Sequence, residues 1–157
     1  MGLNGHNGTD WLCGHGAPLY YDCNLEGEVI DTHVDGMGGL GVVIVTEENG
    51  RYYQHRYWHL KSFEVKPGDK VRMGRLLGYA DNTGASSGDH LHRDLKEVAK
   101  DAQGNYKTLN HDNGYLGAIS MDPYYIDIFT LDQLGTVYRL IGMYPWLLPI
   151  LKTLVWG

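Results

Sequence analysis

Three short stretches of this chain hold the side chains best suited to chemistry. His6-Asn7-Gly8-Thr9-Asp10 sets an imidazole and a carboxylate four residues apart. Asn, Gly, Thr and Asp all resist helix here, so the stretch reads as extended or looped. Fully extended, His6 and Asp10 would share a face about 13 Å apart. Gly8 permits the bend that would bring both onto one ion. His90-Leu91-His92-Arg93-Asp94-Leu95 alternates, so a strand would turn His90, His92 and Asp94 one way and Leu91, Arg93 and Leu95 the other. Two histidines roughly 7 Å apart on one face can divide labour, one holding a metal and one standing beside its water. Tyr57-Trp58-His59-Leu60 adds a further histidine, with Tyr57 and His59 on one strand face. Taken singly, each stretch also has a plain reading: polar loop residues, a solvated strand face, a structural histidine.

The elements that must position these groups read as strands. Gly41 to Thr46 (GVVIVT) is a β-branched run, and Arg51 to Leu60 follows it across Asn49-Gly50, a hairpin signal. Val65 to Gly78 alternates around the turn residues Pro67-Gly68-Asp69. Asp81 to Gly88 has loop composition, and Glu97 to Gly114 reads as a polar excursion. These features predict a mainly β fold, an antiparallel domain over residues 1–128. An apolar C-terminal tail over 129–157 follows, able to form a short helix or two. Its uncharged run from Leu140 to Leu151 carries two prolines and is shorter than the roughly 20 residues a bilayer crossing needs, so no transmembrane segment is expected. The tail is expected to pack on its own domain or to dock a protein partner.

In order, His-x-x-x-Asp, Tyr-x-His-Leu and Gly-x-His-Leu-His resemble the zinc metalloendopeptidases of family M23, the lysostaphin and LytM type. The intervening VKPGDKVRMGRLLGYADNTGASSGDHLH is similar to the family's pattern nearly throughout, and Asp122-Pro123-Tyr124-Tyr125-Ile126 is similar to the segment that ends these domains. The resemblance implies a compact antiparallel β structure with a groove over one sheet. It also implies one Zn²⁺ per chain held by His6, Asp10 and His92, with His59 and His90 as catalytic histidines that do not bind the ion. Two neutral imidazoles and one carboxylate would leave zinc an open position. No His-Glu-x-x-His is present, so base and oxyanion roles would fall to His59 and His90. Tyr57, Asn82, Thr83 and Ser86 are candidate groove-lining, substrate-binding residues. The substrates implied are peptide bonds of bacterial peptidoglycan, in stem peptides or cross-bridges. The alternative is a catalytically silent M23-like binding or structural module.

Thirteen Lys and Arg against nineteen Asp and Glu give a formal charge of −6, which argues against a nucleic-acid partner. Met1 to Asp10 lacks the charged start and apolar run of a signal peptide. A wall-cutting enzyme without one is expected to be released by lysis machinery, as a phage endolysin, or carried in a virion or tail. Cys13 and Cys23 are two ordinary thiols or one staple. Arg93 stands where the family usually has an aromatic residue, so it must snorkel outward or find a partner.

Overall fold

A computed structural model describes residues 5–109 and 115–121. The chain divides into two units, Met1–Tyr125 and Ile126–Gly157. The expected tail over 129–157 and the DPYYI segment lie outside the described residues. Among the described residues no helix is long and apolar enough to cross a membrane.

The described part of the first unit is an antiparallel β-sheet, as the alternating patterns predict. Its strands are β1 (Thr9–Leu12), β2 (Pro18–Tyr20), β3 (Gly27–Asp35), β4 (Gly39–Glu48), β5 (Arg51–Phe63), β6 (Lys70–Val71), β7 (Leu76–Ala80), β8 (His90–Lys100) and β9 (Tyr106–Thr108). The main order is β1-β8-β5-β4-β3-β6, with β7 joining β2 to β5 and β9 on β8. The run GVVIVT is buried at every position, which is why it is apolar throughout where a half-exposed strand would alternate. Asn49 and Gly50 both take positive φ, 53° and 77°, the handedness a two-residue hairpin turn requires. Glu97 to Gly114 is less of an excursion than its polarity predicts. Glu97 continues β8 to Lys100, a turn follows, and β9 returns along β8 with Val98 opposite Thr108.

One irregularity re-aims the functional residues. Leu40 pairs with Leu60 and Val42 with Tyr57, so β5 holds one residue more than β4 between these pairs. His59 takes φ 64° there, and Trp58 pairs with His92 while Leu60 pairs with Ala80. This β-bulge breaks the two-residue alternation. Tyr57 and His59 therefore do not share a face, contrary to the sequence expectation.

The face expected to carry only Leu91, Arg93 and Leu95 holds a polar core as well. Arg93 is fully buried and finds its partner inside: a guanidinium nitrogen lies 2.9 Å from Asp22 and 3.2 Å from His55 Nδ1, with the cation 5.0 Å from the Tyr57 ring centroid. Tyr57 donates its hydroxyl proton to Asp22 at 2.6 Å, and His55 Nε2 meets Thr46 Oγ1 at 3.1 Å. Burial pushes the Tyr57 hydroxyl well above its ordinary range and holds His55 well below the ordinary imidazole value. Tyr57 thus stays a donor and His55 stays neutral. Leu19, Val29, Ile44, Leu60, Leu77 and Leu95 are likewise essentially buried.

Candidate metal centre

Register brings the first and third chemical stretches together. In the β1–β8 pair Asp10 stands directly opposite His92, and in the β8–β5 pair His92 stands opposite Trp58. The chain reaches β1 through Gly8, where close approach is the constraint, since Gly8 does not adopt a positive φ. A Cβ there would stand 2.8 Å from His92 Nε2 and would also run into the Arg93 carbonyl oxygen. With no side chain in the way, His6 folds back over Asp10, its Nε2 3.3 Å from Asp10 Oδ1. The same carboxylate oxygen lies 2.9 Å from His92 Nδ1.

One donor atom each from His6, Asp10 and His92 lies within 4.8 Å of the others. Donors about 2.0–2.1 Å from a tetrahedral zinc stand about 3.3 Å apart, so the set fits such an ion with little movement. Protonation fits too. His6 Nδ1 lies 2.9 Å from the Gly8 carbonyl oxygen, which can only accept, so the proton sits on Nδ1 and Nε2 presents its lone pair. Burial lowers the His92 pKa, against the opposing pull of Asp10, which favours the neutral imidazole a cation needs. Asp10 Oδ1, 2.9 Å from His92 Nδ1, can only accept, so the ring proton lies on Nδ1, and a cation there would displace it to Nε2, 3.8 Å from Asp94 Oδ2. Arg56 in turn holds Asp94, with Nε 2.8 and 3.0 Å from its two oxygens.

His59 and His90 join this cluster. Their ring centroids are 4.6 Å apart, and His59 is 6.1 Å from His92. His90 Nε2 lies 3.6 Å from Asp10 Oδ1. Each is oriented by a main-chain carbonyl: His59 Nδ1 by Thr83 at 2.7 Å, His90 Nδ1 by Gly88 at 2.8 Å. Both therefore carry the proton on Nδ1 and leave Nε2 as an acceptor.

The four expected groove-lining residues separate. Asn82 is exposed and Ser86 half-buried, with Ser86 Oγ donating to the Gly88 oxygen at 2.8 Å and standing 3.2 Å from His90 Nδ1. Thr83 spends its side chain on the fold: Oγ1 donates to the Leu60 carbonyl and accepts from Leu40 N–H. Tyr57 lies on the opposite face with no exposure, bonded to Asp22. Sequence reasoning missed Trp58, which lies against Gly38 and Gly41, since a Cβ on Gly38 would stand 2.8 Å from the indole. Glycines 38 and 41 beside a tryptophan-bearing strand were the available signal. Cys13 and Cys23 are separate free thiols, the first partly exposed and the second buried.

A curled antiparallel sheet bearing a His, Asp and His donor set beside two carbonyl-oriented histidines is the frame of a metallopeptidase. The sequence model of Peptidase family M23 matches residues 4–104, and the chain belongs to that family. The chain is 40% identical over 90 residues to the peptidoglycan DD-endopeptidase ShyA of Vibrio cholerae, a stretch covering 57% of this chain and 20% of that protein. The catalytic domain of lysostaphin, an antimicrobial peptidase from Staphylococcus simulans, superposes with TM-score 0.54 at 26% identity, over 69% of this chain and 80% of that domain. A zinc containing peptidase from Vibrio cholerae superposes with TM-score 0.52 at 33% identity, over 66% of this chain and 29% of that one. The chain thus spans about a fifth of the length of ShyA.

Proposed function

We propose that this chain is a zinc-dependent endopeptidase that hydrolyses peptide bonds in bacterial peptidoglycan. The observation that carries the reading is the meeting of His6, Asp10 and His92, far apart along the chain, around one point faced by His59 and His90. The names of ShyA and lysostaphin support a peptide substrate, and the former supports the wall as its source.

His6 Nε2, Asp10 Oδ1 and His92 Nδ1 would hold the ion. When bound, zinc would supply Lewis acidity to the scissile carbonyl and lower the pKa of water towards about 7. The chain's own residues handle the protons. The Nε2 of His59 or His90 accepts one proton from the attacking water as its oxygen bonds to the carbonyl carbon. The other imidazole, carrying on Nε2 a second proton taken up from solvent before the attack and kept through the cycle, donates a hydrogen bond to the developing oxyanion. The accepted proton then passes to the departing nitrogen as the C–N bond breaks, leaving a carboxyl and an amine terminus. Asn82 and Ser86 border this place and would meet the peptide. In a phage setting the same chemistry would open the wall from inside at lysis or from outside at entry.

The test is loss of turbidity of purified walls, with mass spectrometry of the fragments. His90→Ala is expected to slow lysis by about 10²–10⁴-fold, and a chelator to stop it with the circular dichroism spectrum retained. Equal rates for parent and His90→Ala, or no new peptide termini from the parent, would overturn the proposal.

A further inference from the structure

A second group of metal-ligand side chains lies outside this centre, and its chemistry differs. His15, in the β1–β2 connection, points Nδ1 at Asp81 Oδ1, 3.1 Å away, with Asp89 Oδ1 at 3.7 Å. Donor atoms of the three lie within 4.8 Å of one another, as in the first cluster. The difference is Lys61, whose Nζ stands 3.2 Å from His15 Nε2. An ammonium group can only donate, so Nε2 must accept and the imidazole proton must sit on Nδ1, aimed at Asp81. A cation on Nδ1 would need that lone pair and would drive the proton onto Nε2, against the Lys61 N–H bonds. Lys61 thus opposes a cation at His15 Nδ1.

What His15 holds is the entrance of one loop. Asp81 begins it, with its N–H on the His59 carbonyl at 3.0 Å, and Asp89 closes it just before His90. His90 N–H points back at the Asp81 carbonyl at 3.4 Å, and Gly16 and Ala17 bond to Ala80 at the loop's entrance. Between those ends lie the Thr83 and Gly88 carbonyls that hold the Nδ1 protons of His59 and His90. We infer that His15 is a positioning residue: held by Lys61 on Nε2 and bonded through Nδ1–H to Asp81, it fixes the entrance of the Asp81–Asp89 loop, and so keeps the Nε2 lone pairs of His59 and His90 facing the site.

The inference rests on the proposed peptidase for its kinetic arm alone; nitrogen NMR of the imidazoles in the zinc-loaded protein reads it directly. In His15→Ala the Nδ1–H signatures of His59 and His90 should shift towards a mixture of tautomers. A single exposed hydrogen bond contributes little, so kcat on wall peptides should fall only about two- to fivefold, with KM and affinity for zinc at the first centre unchanged. His15→Gln should restore both readouts, because its amide accepts from Lys61 and donates to Asp81. Unchanged tautomer signals in His15→Ala, or no rescue by His15→Gln, would overturn the inference. So would titration with zinc chloride or calcium chloride showing a second bound ion that His15→Ala loses. A parent that cuts no wall would overturn the peptidase reading and leave the NMR arm to decide this one.

Discussion

The sharpest test of the metal centre touches none of its donor atoms. In Gly8→Ala the added methyl would meet the Arg93 carbonyl oxygen, the His92 Nε2 at 2.8 Å and the His92 Cε1 at 2.9 Å. The first is main chain of β8, in a strand paired on both sides, and cannot swing away. Relief therefore requires β1 to move off β8 by roughly 1 Å, and Asp10, two residues on, moves with it. Overpacking of this kind costs about 1–3 kcal/mol. Spent on the Asp10–His92 distance, that range corresponds to a loss of about 5–150-fold in zinc affinity. Competition with a chromophoric chelator would measure the affinity, and far-UV circular dichroism with urea unfolding would measure the fold. The expected outcome is a folded protein that binds zinc weakly. Parental zinc affinity in Gly8→Ala would refute the claim that backbone contact between β1 and β8 sets the site.

Two predictions concern the polar core. His55 is buried and neutral, so below about pH 6.5 the unfolded chain binds a proton that the folded one refuses. Stability should therefore rise with pH, and fall as pH drops below that value by up to about 1.4 kcal/mol per unit. Urea midpoints across pH 4.5–7.5 (roughly the window in which an unfolded His titrates) check this, and His55→Gln should flatten the slope. Arg93→Ala would strand the Asp22 carboxylate and should cost about 3–5 kcal/mol by urea unfolding. Replacing Asp22 by Leu and Arg93 by Phe together should recover much of that loss.

Strand positions were readable because their signals are local, whereas the five histidine and aspartate residues that meet in the structure stood out only through the ordered resemblance to family M23. Asn49-Gly50 specifies a turn by its own φ preferences, and His92 and Asp94 lie two apart on a strand, whatever surrounds them. Tyr57 misleads for the opposite reason. Its face depends on an extra residue in β5 relative to β4, a property of pairing between strands that neither strand records alone. Thr83 misleads because its hydroxyl, apt for a ligand, is spent on Leu60 and Leu40, more than twenty residues away in sequence. Arg93 posed the right question, and its answer lay in Asp22, on a segment with no motif of its own.

The three imidazoles tethered through Nδ1 owe their tautomers to main-chain oxygens of Gly8, Thr83 and Gly88. Every amino acid carries such an oxygen, so this protonation pattern is encoded in the trace of the polypeptide and not in its lettering. Residues Asn82, Ala85 and Ser87 can accordingly be rewritten to meet a different ligand while the imidazoles keep their tautomers. Inserting or deleting a single residue between Thr83 and Gly88 would do the reverse, sparing every side chain while detuning His59 and His90 together.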